Sequence, residues 1–190
     1  MKKILISMMA CTMLLLPGCN KIKDATSRDI KVNNIKFDFV ATTTASATTS
    51  LKSESLMATK AGPMISSFSA TRTVDLSEIG EPDLEKHRKK IDKVKVTRML
   101  VVVTSNPSGA YTVTNLKIVA EGAGQLVIPT YTIGGTFTPP SEMDSFLTAF
   151  FNKLFDGPVK VTVTGLSDAP VGTTITVRCE SDVIFTASLL

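Results

Sequence analysis

Along most of this chain apolar and polar residues alternate, and the phase of the alternation predicts strands. Ile35, Phe37, Phe39 and Ala41 oppose Lys36, Asp38, Val40 and Thr42, the pattern of a half-buried strand. TTTASATTS (42–50) continues as a Thr-rich strand plus loop, because Thr favours β structure. ISSFSATRTVDL (65–76) puts Phe68, Ala70 and Val74 on one side of another strand. VKVTRMLVVV (94–103) alternates, then turns apolar on both faces, as suits a central strand covered on both sides. SNPSG (105–109) is turn chemistry and predicts a hairpin into YTVTNLKIVA (111–120). Within that second strand the apolar phase flips between Val113 and Leu116, which predicts a bulge near Asn115. EGAG (121–124) reads as the next hairpin turn, and Pro129 in QLVIPTYTI (125–133) predicts an edge or a bulge. VKVTVTG (159–165) alternates cleanly, SDAPVG (167–172) is a loop, and further strands run from Thr173 towards the C-terminus. There Ile175, Val177, Cys179, Val183 and Phe185 share one face, so Cys179 is predicted to be a small buried hydrophobe.

Two stretches have helical rather than strand periodicity. In PPSEMDSFLTAFFNKLFDGP (139–158), Met143, Phe146, Leu147, Phe150, Phe151 and Leu154 recur at helical spacing. Ser141 with Asp144 resembles a capping box, and Gly157-Pro158 is a stop signal. EPDLEKHRKKI (81–91) has Pro82 in a first turn, with Leu84, Arg88 and Ile91 on one face. The whole predicts a mainly β fold: an antiparallel β-sandwich of about seven to nine strands, one amphipathic helix (about 141–156) packed on it, and a short helix near 82–91.

The N-terminus follows a different rule. Met1-Lys2-Lys3 precedes a mostly apolar run from Ile4 to Leu16, the form of a secretory signal and too short to span a bilayer. Leu16-Pro17-Gly18-Cys19 resembles the lipobox of bacterial lipoproteins, with an aliphatic residue, a small residue and then cysteine; Pro17 departs from the more usual Ala or Ser. The resemblance implies that residues 1–18 are a signal peptide removed on maturation. It also implies that the Cys19 sulfur carries a diacylglyceryl group and the new N-terminus an acyl chain. Several chains make such attachment durable where one alone is marginal. Residues 19–34, polar and mixed in charge, are then a tether, and 35–190 a single β-sandwich domain. Asn20 is not the Asp that retains lipoproteins in the inner membrane of enteric bacteria, so the expected address is the cell envelope, by default the outer membrane, on its periplasmic face or at the surface. Beyond the lipobox, the TRTVDLSE strand exit (71–78), a charged helix running into a long strand, and VTVTG after an amphipathic helix resemble the layout of small Bacteroidota envelope lipoproteins.

Charge changes this picture little. The chain carries +4, and loss of Lys2 and Lys3 with the signal leaves +2, no argument for nucleic acid. It is unevenly spread: residues 84–98 hold a net +5. Lys86, Arg88, Lys89, Lys90, Lys93 and Lys95 are thus a candidate patch for an anionic partner, against the plainer reading of a solvated surface. With Cys11 in the signal and Cys19 lipidated, Cys179 has no partner for a disulfide.

Candidate chemistry is sparse. No Gly-x-Ser-x-Gly, His-Glu-x-x-His or Cys-x-x-Cys occurs, and the one histidine, His87, sits among Lys and Arg that repel a metal ion. Asp75, Glu78, Glu121, Glu180 and Asp182 are the carboxylates that a glycosidase would have to pair. The chain has no Trp and only Tyr111 and Tyr131, which weakens sugar-stacking readings. The glycines of GAG and IGGTF do not open a helix and read as hairpin or loop residues. No enzyme activity, cofactor or metal is expected. Two functions fit these patterns: a membrane-anchored binding, adhesion or accessory module with an envelope protein or glycan partner, or a carrier of a lipid or other apolar ligand lined by Phe146, Phe150 and Phe151.

Overall fold

The computed structural model describes residues 27–46, 65–137 and 144–188. They form nine strands: β1 (Ser27–Thr42), β2 (Thr44–Ala45), β3 (Ser66–Val74), β4 (Ile91–Asn106), β5 (Thr112–Ala120), β6 (Gly124–Thr132), β7 (Thr136–Phe137), β8 (Val159–Ser167) and β9 (Thr174–Ser188). Two helices, α1 (Pro82–His87) and α2 (Asp144–Asp156), join them, with 3-10 turns at Leu76–Ile79 and Arg88–Lys90. The strands build two antiparallel sheets, β1-β9-β4-β7 and β2-β3-β8-β5-β6. Their inner faces share one core, which includes Phe39, Val101, Val177 and Phe185 from the first sheet and Phe68, Leu116, Ile128 and Val163 from the second. The β-sandwich expected from the alternation is the observed architecture.

The expected tether, 19–34, is corrected at its C-terminal half. β1 begins at Ser27, and Ile30 and Val32 are core residues paired to Phe185 and Val183 of β9. The reason is a bulge: the β1–β9 register shifts between Val32 and Ile35, and Asn34 takes a positive φ of 61°. Asn is one of the few non-glycine residues that tolerate this conformation. The buried phase jumps from even to odd positions there, so a period-two reading anchored on Ile35 sees nothing before it. Residues 19–26 lie outside the described residues.

The expected hairpin at 105–109 is also corrected. β4 and β5 belong to different sheets, so the segment crosses between layers and contains a cis Asn106–Pro107 peptide. Local turn chemistry specifies that the chain bends; it carries no information on which sheet receives the next strand. β4 starts at Ile91, three residues before its alternation begins, and contains two register shifts against β9. Its Leu100 and Val102 lie on the outer face and are half-buried, so the strand is not covered by a second layer there. The final segment is one strand, β9, in the middle of its sheet.

Other local expectations hold. β5 shifts register against β8 between Thr114 and Lys117, with Asn115 at φ 53°. β6, which carries Pro129, is an edge strand, and EGAG turns β5 into β6. Gly165 of β8 faces Phe68 of β3 on the core side, and a Cβ at Gly165 would stand 2.6 Å from the ring. The glycine is therefore the space that the ring occupies. Thr43, 1% exposed, marks the corner where the chain leaves the first sheet for the second; its amide donates to Thr173 O and its hydroxyl to Pro170 O.

Candidate functional site

Helix α2 exists because its apolar residues recur at three and four, and it is held between the sheets rather than on an outer face. Leu147, Phe150, Phe151 and Leu154 are buried. Phe150 meets Phe37 edge-on at 5.8 Å between ring centroids, and Phe151 and Phe155 each meet Phe185 at 5.5 Å. Such edge contacts add about 0.5–1.5 kcal/mol apiece to the burial itself. Ser141 and Met143, read as part of this helix, lie outside the described residues.

Phe146, Phe150 and Phe151, the candidate ligand lining, do come together, around a crevice shared with Phe37, Met99 and Ile118. It encloses about 420 Å³ with its open mouth counted, but only about 30 Å³ is free among the lining atoms. That is room for about one water, whereas ligand sites for small molecules run to roughly 300–1,000 Å³. The aromatic block is spent on the core. A shallow depression of about 340 Å³ lies on the outside of the second sheet, among Thr44, Ser67, Ser69, Asn115, Thr164 and Leu166.

Cys179 borders the same crevice. The residue is half-buried, and desolvation, aided by the negative charge of Asp38, pushes its thiol up to about 12. At neutral pH it stays protonated and is a poor nucleophile.

Of the candidate carboxylates, Asp75, Glu78, Glu180 and Asp182 have structural partners, while Glu121 is exposed at the turn between β5 and β6. Asp75 caps the 3-10 turn: it accepts from Ser77 N at 2.9 Å and Ser77 Oγ at 2.8 Å, which hold its carboxyl below the usual range. Glu78 closes that capping box on Asp75 N and pairs with Arg72. Glu180 lies 3.8 Å from Lys36 and 3.9 Å from Arg98. Asp182 accepts from Asn34 N at 2.7 Å and lies 3.6 Å from Arg98, while its own carbonyl accepts from Thr97 Oγ1. It thereby fastens the bulges of β1 and β4 that flank it. The two-pronged pair escapes sequence reading: Arg178 forks onto Asp38 at 2.6 and 2.9 Å. Outward phase on β1 and β9 places both residues on one face, but only the strand register makes them opposite. Among the described residues, no three of His, Cys, Asp or Glu gather as they would around a metal ion.

The tyrosines offer no sugar platform. Tyr131 is buried, with its hydroxyl donating to Gly135 O and accepting from Val103 N. Tyr111 is half-buried under Gly109, where a Cβ would stand 2.4 Å from its ring.

Of the candidate basic patch, Lys86, Lys89, Lys90, Lys93 and Lys95 are exposed. Arg88 is not free: its Nε donates to Phe155 O at the C-terminus of α2, where a cation complements the helix dipole. His87 is half-buried in α1 and forms none of the ion pairs among the described residues. Leu16 to Cys19 lies outside the described residues. No described helix is long and apolar enough to cross a membrane.

No protein-family model matches this chain, and neither the curated protein sequences nor the solved structures searched contain a match.

Proposed function

We propose that this chain is a lipoprotein of the bacterial envelope, anchored through Cys19, whose β-sandwich serves as a non-enzymatic binding or accessory module. The observation that carries the reading is the lipobox-like Leu16-Pro17-Gly18-Cys19 behind a basic, apolar leader. Ser27, the first residue of β1, follows Cys19 by eight positions.

The dispersal of its acids into ion pairs and caps, and the protonated thiol of Cys179, favour binding over catalysis. A protein partner suits the surface better than a glycan, since Tyr131 is buried and Tyr111 covered. An apolar-ligand carrier would require α2 to swing away from Phe37 and Phe185. A lipid co-purifying with the protein in native mass spectrometry would favour that alternative.

The anchor is tested by expressing the full chain in a bacterial host, with Cys19→Ser beside it. The expected result is a mature mass beginning at Cys19 with three acyl chains' worth of added lipid, recovered with membranes, and loss of both lipid and membrane recovery in the variant. A mature protein with its leader intact, or cut without lipid, overturns the reading.

A further inference from the structure

The end of the sandwich at which β1 begins, eight residues after Cys19, also carries a cluster of exposed lysines outside the ion pairs. Ser27 pairs with Ser188 and Ile91 with Ala187, so the start of β1, the end of β9 and the start of β4 lie side by side. Helix α1 and the Arg88–Lys90 turn lead into Ile91 at that same end, and Arg28 of β1 pairs with Asp83 of α1 at 2.9 Å. Around this point stand Lys86, Lys89 and Lys90 on the helical turns. Lys31, Lys93 and Lys95 stand on the outer face of the sheet, Lys31 and Lys95 both opposite Ile184. All six are exposed, and among the described residues none forms an ion pair. The acids in their midst are Asp29, Glu85 and Asp92, which leaves the group a surplus of three positive charges.

The eight-residue step from Cys19 to Ser27 reaches at most about 28 Å fully extended, and any slack brings the domain closer to the bilayer. We propose that this basic end is a docking surface for the phosphate-bearing, anionic headgroups of the membrane that holds the anchor. The inference rests on the lipid at Cys19. Tethering keeps the lysines within reach of the headgroups, where each adds attraction that salt screens. Docked in this way, the sandwich stands on α1 and the first turns of β1 and β4. The opposite end, with exposed Ile65 and Val171, points away from the bilayer.

The test uses the full chain matured in its host and reconstituted in nanodiscs of phosphatidylethanolamine with phosphatidylglycerol, or of neutral phosphatidylcholine. Amine labelling is read residue by residue. Labelling of Lys86, Lys89, Lys90, Lys93 and Lys95 is expected to slow about fivefold or more on anionic discs, with Lys117 on the second sheet unaffected and high salt erasing the difference. The triple variant Lys89→Glu, Lys90→Glu, Lys93→Glu, all at exposed positions, is expected to remove the slowing at its remaining lysines. Equal labelling on the two discs, in protein whose intact mass shows the lipid, overturns the docking surface and leaves the anchor standing. An intact mass without lipid overturns the anchor, and the docking surface falls with it.

Discussion

Asp38 illustrates how a charged residue on an open sheet face becomes structural. Arg178, one strand away, donates two hydrogen bonds to its carboxylate, and Arg72 reaches from the other sheet to its carbonyl at 3.0 Å. The hydrogen bond and charge of Arg178 outweigh burial and hold the Asp38 carboxyl below its ordinary 3.8. A folded-state value below the unfolded one means that the unfolded chain binds protons more readily. The pair's contribution is therefore fully present above the ordinary carboxylate value and is lost as pH falls through the lowered one. Both side chains are about two-fifths exposed, which screens the pair to about 0.5–1 kcal/mol at neutral pH. Asp38→Asn should cost that much in urea unfolding at pH 7, with the gap from the parent closing in acid. A gap that persists unchanged at the acid end would show that Asp38 contributes through packing instead. Arg178 was not to be found from local pattern, because its partner lies 140 positions away in sequence.

At the scale of elements, α2 shows where periodicity is sufficient and where it stops. Its recurring Phe and Leu positions specify a helix with one apolar face, and four of them, Leu147, Phe150, Phe151 and Leu154, are the buried ones. Periodicity does not say whether that face lines a cavity or fills one. The outcome depends on Phe37 and Phe185, from β1 and β9, meeting it edge-on. Phe151, fully buried between Phe150 and Phe185, should cost about 3–5 kcal/mol as Phe151→Ala in denaturant unfolding. Phe146→Ala, half-buried at the crevice, should cost about half of that or less. Equal costs would mean that the two positions are equally packed, contrary to the geometry. The bulges had mixed visibility. The one at Asn115 showed as a flip between two clear apolar phases. Those at Asn34 and Thr97 sit where polar residues blur the pattern on one side.

At the scale of the molecule, β9 is the organising strand: it holds β1 along one edge and β4 along the other. Its pairing with β1 joins Ser27 to Ser188, the first and last of the described residues. Such closure is entropically slow and rewards only the complete sheet. Deleting residues 27–34 should therefore do more than shorten a tether. It removes the buried Ile30 and Val32 and uncovers Val183 and Phe185, at a cost of about 3–6 kcal/mol against a total of about 5–15 for a domain of this kind. Urea unfolding of the shortened domain beside the parent measures this; equal midpoints would return residues 27–34 to the tether.

Period-two alternation, the helical recurrence of Phe146 to Leu154, and the glycine and proline punctuation were sufficient by themselves for the layered β architecture and its buried helix. The proposed leader, with Cys19 at its end, likewise needs no fold to be read, because such a signal is linear. These are local properties, written in residues within a few positions of one another. The tertiary structure alone decided that 105–109 crosses between sheets and that β1 starts at Ser27. It alone decided that Phe146, Phe150 and Phe151 enclose almost no free volume. It also decided that Arg88 caps α2 while its lysine neighbours stay exposed at the end where β1 begins. Each of these depends on which distant strand lies opposite, and strand register is a property of the assembled sheet.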